Sequence, residues 1–520
     1  MKPWLLAATF LFLSGAAQAE TILNRGNGGE PGSLDPHFIG SVAEENIVGD
    51  LMVGLTTLDA AAKPIPGMAE NWRISPDGKD WTFHLRKAVW SDGVPVTAED
   101  FVFAFRRLLD PANASRYAAN LWVLKNGQAV SAGKLPPSAL GVEAPRPDTL
   151  ILHLEHPAPY LPELLTHETA DPLPRHVLAA KGEAWARPGN YVGNGAYLLK
   201  SWVPGDHVTL VKNPRFYDAA QVRIDTVNYF PTGDSAAALK RFRAGELDLQ
   251  TPVPTTEIGW LRANMKSQLR LTPALAIAYI AINLDAPPLK DVRVRRALNL
   301  AYDREAVAQK VLKLGEAAAY SYVPPGIANY PGAVAMDFRN TPYPARIAEA
   351  QKLMQAAGYG PFNRLRLSYA AWPNPDVKRL AILYQAMLKQ IYVDLDIQMS
   401  DLPVLMRNLR QHQFQLSGAS WYADFNDAST FLDLLRSDNA NNYAGYRNPR
   451  YDAAMNAARA EPDAVQRGAL LASAEWIALS DYPWVVTRFP TQSDLVQPYV
   501  KGWVQNARDV QRSRWLWLQK

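Results

Sequence analysis

An α/β fold of two or three domains is what this sequence predicts, and three observations carry the prediction. Stretches alternating apolar and polar residues are repeatedly followed by stretches with apolar residues at three- and four-residue spacing, the mark of strands feeding helices. The chain has 520 residues, more than a single hydrophobic core holds. Its 40 prolines argue for many ordered turns and extended connections.

The first twenty residues, "MKPWLLAATFLFLSGAAQAE", place one lysine before an apolar run from Trp4 to Leu13 and end in Ala17-Gln18-Ala19. This is the pattern of a secretory signal peptide over 1–19, with the mature chain starting at Glu20. The run is too short to span a bilayer, and no later apolar stretch reaches the roughly 20 residues that a spanning helix needs. The absence of cysteine excludes a disulfide framework, thiolate metal sites, a cysteine nucleophile and a lipid anchor on an N-terminal cysteine. A soluble, exported, unanchored protein points to the periplasm of a Gram-negative bacterium. With 54 basic and 50 acidic residues, the charge suggests neither a nucleic-acid partner nor a polyanionic one.

Residues 20–52 open with a strand, "TILNRG", and a turn-rich loop whose Gly26, Gly28, Gly29 and Gly32 do not form a phosphate-binding G-x-G-x-x-G. In "NWRISPDGKDWTFHLRKAVWSDG" a Pro-Asp-Gly turn separates two strands, and Trp81, Phe83 and Leu85 alternate with Thr82, His84 and Arg86. Thr97 and Asp100 then have capping-box spacing at the start of a helix. A further strand, "DTLILHLE", carries His153, with His156 just after it; their spacing turns the rings to opposite faces and argues against a shared metal. From about 271 a second α/β region is expected, with helices at 291–313, 345–357, 375–391 and 402–411. In the first, Asp291 is the cap, Val294, Ala297, Leu298 and Ala301 form the buried stripe, and the arginines of "KDVRVRRALNLAYDRE" form a solvated face. "NPRFYD" and "NPRYDAAM" read as two Asn-Pro turns before an aromatic.

The stretch "QLSGASWYADFNDASTFLDLL" combines a strand pattern through Ser420 with a helical pattern at Phe431, Leu432 and Leu435. Asp424 falls in the strand-to-helix turn, where α/β proteins place ligand contacts; Asp427 fits the helix N-cap. No nucleophile elbow, H-E-x-x-H helix or S-x-x-K arrangement has a supporting context, so catalysis is not expected.

Seven segments in order, "EPGSLDPH", "MAENWRISPDGKDWTFHLRKAVWSDGVPVTAEDFVFAFRRLLDP", "NGAYLLKSW", "RFRAGELDL", "KDVRVRRALNLAYDRE", "SYVPPG" and "SWYADFNDASTFL", resemble the family 5 solute-binding proteins of ABC importers, the oligopeptide and dipeptide type. The resemblance implies a two-lobed α/β fold of the periplasmic-binding-protein kind, type II-like, with an additional inserted domain. One lobe would be built from 20–52, 177–270 and 486–520, the insertion from 53–176 and the second lobe from 271–485. It further implies a monomer, without cofactor or metal, that captures short peptides between its lobes and delivers them to an inner-membrane ABC permease and its ATPase subunits. A murein peptide or a non-peptide solute is the alternative ligand, and a secreted peptidase the alternative class.

By the same match, Asp424 of "WYADF" would receive the peptide's α-ammonium group, flanked by Ser420, Trp421 and Tyr422 with Tyr279 nearby. Val42, through its backbone, and Tyr117 would touch the peptide. The chain departs from the family at Gly418, where relatives carry an arginine, and at Val377, where they carry a histidine. Those basic groups help to hold the peptide's carboxyl end, so the length preference is expected to differ. "NDAS" follows the aspartate where a proline is frequent.

Overall fold

The structure is a computed structural model that describes residues 20–115, 117–328, 330–332, 334–439 and 441–519. The expected signal peptide lies outside the described residues. Two sheets organise the two lobes. A seven-stranded sheet runs in the order Leu269–Pro273, Thr491–Val496, Leu249–Gln250, Ile22–Gly26, Thr226–Phe230, His207–Lys212, Tyr197–Val203. A six-stranded sheet runs Ala317–Ala318, Trp484–Phe489, Ala276–Ile282, Leu416–Tyr422, Leu365–Ala371, Val393–Met399. The chain leaves the first sheet after Pro273 and enters the second at Ala276, then returns across Pro490. Two short connections therefore join the lobes.

A separate four-stranded antiparallel sheet, Ala69–Ile74, Asp80–Leu85, Thr149–His153 and Val142–Arg146, stands beside the seven-stranded one. Its first hairpin turns at Gly78, whose φ of +73° suits glycine. Trp81, Phe83 and Leu85 are buried against the helix Ala98–Leu109, and that helix begins with the Thr97–Asp100 capping box. One apolar core, with Leu23, Val48, Phe83, Phe101 and Tyr229, joins this sheet to the seven-stranded lobe. Another, with Ile277, Ile282, Leu298, Tyr384 and Trp484, belongs to the six-stranded lobe. Phe425 reaches from the second lobe into the first core, where it stacks on Tyr160 at 5.0 Å.

Two expectations need correction. The helix expected over 291–313 is interrupted: it runs Val292–Ala301 and restarts at Arg304, where the Asp303 side chain accepts from the Ala306 amide at 3.1 Å. Nor do the arginines form one solvated face. Arg293 is exposed, but Arg295 donates to the carbonyls of Leu289, Lys290 and Asp481. Arg304 is fully buried and donates to the carbonyls of Asn299, Tyr302 and Ala319. Arg304 satisfies carbonyls at the helix break and in the loop beyond it, and Arg295 those of the turn before the helix and of the end of the distant helix Ala464–Asp481, a need that charge patterning does not reveal.

Candidate functional site

The strand Leu416–Tyr422 pairs along its whole length with Ala276–Ile282 on one side. On the other it meets Leu365–Ala371 only at Leu416 and Ser417. Beyond Ser417 this edge diverges, leaving Ala419 to Tyr422 with backbone groups that a further extended segment can pair. Gly418 stands at the point of divergence because the Tyr369 hydroxyl fills the space where a β-carbon would sit.

That edge faces a cleft of about 750 Å³ between the lobes. Val42, Tyr117, Ser420, Trp421, Tyr422 and Asp424 all line it, so the fold brings together six residues that the sequence singles out from three distant segments. Val42 is the first residue of the helix Val42–Leu51, and its preceding Ser41 is extended (φ −149°, ψ 154°). Tyr279 is not among the lining residues: its ring lies in the core of the second lobe, 3.9 Å from Trp484 and stacked on it. The expected place of Tyr279 beside the ammonium site is therefore corrected. Both faces of its strand are buried, and the sequence does not say which layer its ring enters.

The Asp424 amide donates to Thr430 Oγ1 at 3.3 Å, and that hydroxyl lies 3.4 Å from Asp424 Oδ2. Burial pushes the carboxyl up to about 6, against the opposing pull of Thr430 and Arg508. The helix that follows runs Ser429–Leu432 with Ala428 in its N-cap position, so the expected cap role of Asp427 is corrected: one residue further out, its side chain accepts from the Ser429 amide at 2.9 Å and forms a buried ion pair with Arg467, whose Nη2 is 2.9 Å from Oδ1. The two acids thus have separate work: Asp427 fastens the turn while Asp424 faces the cleft.

Other residues of the cleft carry no local sequence signal. Arg512 pairs with Glu168 and donates to the Glu45 carbonyl at 2.9 Å. Burial would raise Glu168, but Arg512 holds it below the ordinary range. Glu45, by contrast, is pushed up to about 8 by burial and then by the Glu168 charge. The ring of Tyr117 lies 4.6 Å from His167, and its hydroxyl is raised by burial and then by Glu45 and Asp424. The cleft wall near Asp424 is therefore rich in carboxyl groups starved of solvent, an arrangement that favours an entering cation.

The profile described as "Bacterial extracellular solute-binding proteins, family 5 Middle" matches residues 63–443. The chain belongs to this family. This family 5 solute-binding protein is 36% identical to the periplasmic oligopeptide-binding protein OppA of Haemophilus influenzae over 92% of its own length and 90% of the relative's. The structure of that relative in complex with the peptide RPPGFSPFR superposes with a TM-score of 0.88, covering 97% of this chain and 100% of the other. A probable deoxycholate-binding periplasmic protein of Escherichia coli, YgiS, is also 36% identical, over 96% of this chain and 94% of its own. The murein tripeptide-binding protein MppA of E. coli, 33% identical, superposes at 0.89 over 97% of this chain and 99% of its own. Its unliganded open form superposes less well, at 0.78 over 96% and 98%. Contacts across the cleft fit that difference: Thr255, which follows the seven-stranded lobe's strand Leu249–Gln250, donates to Asp376 of the other lobe at 2.8 Å.

Proposed function

We propose that this solute-binding protein captures short peptides in the periplasm and presents them to an inner-membrane ABC permease whose ATPase subunits supply the energy. The peptide's backbone adds to the open edge at Ala419–Tyr422, and its α-ammonium group pairs with Asp424. Binding energy drawn from main-chain groups makes the site tolerant of side-chain sequence. No bond to the substrate is broken; the work is capture and release by movement of the lobes about the connections near 274–275 and Pro490. A signal peptide over 1–19 delivers the chain.

The observation that carries this reading is the placement of Asp424: a poorly solvated carboxylate at the end of an unpaired strand edge, walled by Trp421 and Tyr422, in a cleft between two lobes. An ammonium group there gains a charge-assisted hydrogen bond that water no longer supplies. The peptide-binding relatives, among them one whose structure holds a nonapeptide, support the choice of ligand class. Calorimetric titration of one tripeptide with a free and with an acetylated amine tests it. Free peptide should bind far more tightly; equal binding of the two would remove the ammonium site, and a discrete non-peptide mass carried through purification would redirect the ligand class.

A further inference from the structure

A second pair of acids in the cleft is not used by the Asp424 site. Asp494 lies in the strand Thr491–Val496 and Asp509 in the segment that follows, and both line the cleft. Asp494 is only 3% exposed, yet its Oδ1 has no hydrogen-bond partner among the described residues. The groups facing it come from four segments. The Thr251 hydroxyl, Arg25 of Ile22–Gly26 and Arg270 of Leu269–Pro273 favour its charge, while Asp509 and Asp494 repel each other. Both arginines direct donors elsewhere. Arg25 donates to the Gln511 carbonyl at 2.7 Å and Ser513 Oγ at 2.8 Å, and Arg270 to the Ser267 carbonyl at 2.8 Å. Burial pushes Asp494 up to about 7; burial and then the Asp494 charge push Asp509 well above the carboxylate range.

The position of this pair along the cleft is fixed from the other lobe. Tyr422, two residues before Asp424 at the end of the open edge, pairs with Ala276, and three residues before that Pro273 pairs with Thr491, which opens the strand carrying Asp494. At roughly 3.3 Å per residue of extended chain, a ligand anchored at Asp424 brings its first or second side chain to this part of the wall.

We propose that Asp494 and Asp509 form a second cation subsite of the cleft, which takes the ammonium or guanidinium group of a basic side chain near the N-terminal end of a bound peptide. The inference rests on the ammonium reading of Asp424 and adds a preference to it. An entering cation supplies the partner that Asp494 Oδ1 lacks and relieves the repulsion between the two carboxyls. Because those groups hold protons near neutrality when the subsite is empty, a cation expels protons as it binds.

Calorimetry at pH 7 in two buffers of different ionisation enthalpy, with Lys-Ala-Ala, Ala-Lys-Ala and their norleucine counterparts, tests the subsite. One of the lysine peptides should bind about tenfold or more tightly than its norleucine counterpart, as a charged hydrogen bond warrants, and should release protons on binding. Asp494→Asn and Asp509→Asn should each shrink that preference. Equal affinity for lysine and norleucine peptides in the wild-type protein overturns the subsite without recourse to a variant. If the norleucine peptides then still need a free amine and Asp424, the ammonium reading stands alone; if no peptide of the set binds, both readings fall.

Discussion

Arg508 Nη2 donates to the Asp424 carbonyl at 3.0 Å, tying the C-terminal tail to the turn that carries the acid at the centre of the cleft. Its Nη1 donates to Thr166 Oγ1 at 3.1 Å and lies 3.6 Å from Glu163 Oε2. One buried guanidinium thus bridges segments on both sides of the cleft. Arg508→Gln removes a charged donor from this bridge, and hydrogen bonds to charged groups are worth about 1.5–3 kcal/mol. Peptide affinity should fall by roughly tenfold or more. X-ray scattering of the unliganded variant should show a larger radius of gyration than that of the unliganded wild type, and an unchanged profile would remove the bridging role.

Asp424→Asn leaves a bound ammonium group without its counter-charge. Breaking a sheltered pair costs about 3–5 kcal/mol, or roughly a hundred- to several-thousand-fold in affinity. Acetylating the peptide should cost the wild-type protein similarly. The two changes together should cost much less than their sum, because both remove one interaction. Additive losses in the four calorimetric titrations would mean that Asp424 acts elsewhere than on the amine.

The same substitution should have the opposite effect on the empty protein. The Asp424 carboxyl titrates at about 6 when folded, above its ordinary value of 3.8. A raised carboxyl is bound to its proton more strongly in the folded state, so its contribution to stability is complete below about pH 4 and is lost as pH rises through 6. Unliganded Asp424→Asn should therefore match or exceed wild type at pH 7, by about 3 kcal/mol at most, with the advantage gone by pH 4. Binding to wild type should weaken by about tenfold per unit below pH 6, where a proton competes with the ammonium group for the carboxylate. Urea titrations and calorimetry across pH 4 to 8 measure both slopes; a peptide affinity flat between 4 and 6 contradicts them.

Gly418 is held small by its neighbour. A β-carbon there meets the Tyr369 hydroxyl well inside contact distance, while the next atom, the ring carbon bearing it, is 3.6 Å away. Gly418→Ala should destabilise the second lobe by about 1–3 kcal/mol, the usual cost of overpacking. Tyr369→Phe removes the obstructing oxygen, so the double variant should recover most of that loss. Strict additivity of the two substitutions in urea denaturation would argue against the contact.

Much of the scaffold was legible because its signals are local. The alternation at Trp81, Phe83 and Leu85, the Thr97–Asp100 box and the Asp291 cap each lie within a few residues, and each reflects backbone geometry that the neighbouring residues largely settle. Even Asp424 and Asp427 could be placed beyond the end of a strand from their immediate neighbours.

What only the tertiary structure decided is where side chains meet across long stretches of chain. Arg467, the buried partner of Asp427, lies 40 residues downstream, and Arg512 reaches Glu45 across 467. Nothing in the sequence near Glu45, Asp494 or Asp509 distinguishes them from solvated acids; their chemistry arises from burial and from one another's charge. Tyr279 was misplaced for the same reason: its strand is buried on both faces, and only the packing of the lobe decides which layer a given ring enters. The sequence by itself determined most of the elements, several of their caps and the family; the tertiary structure determined which lone carboxylates share a cleft, because solvation and Coulomb energies depend on distance in space rather than along the chain.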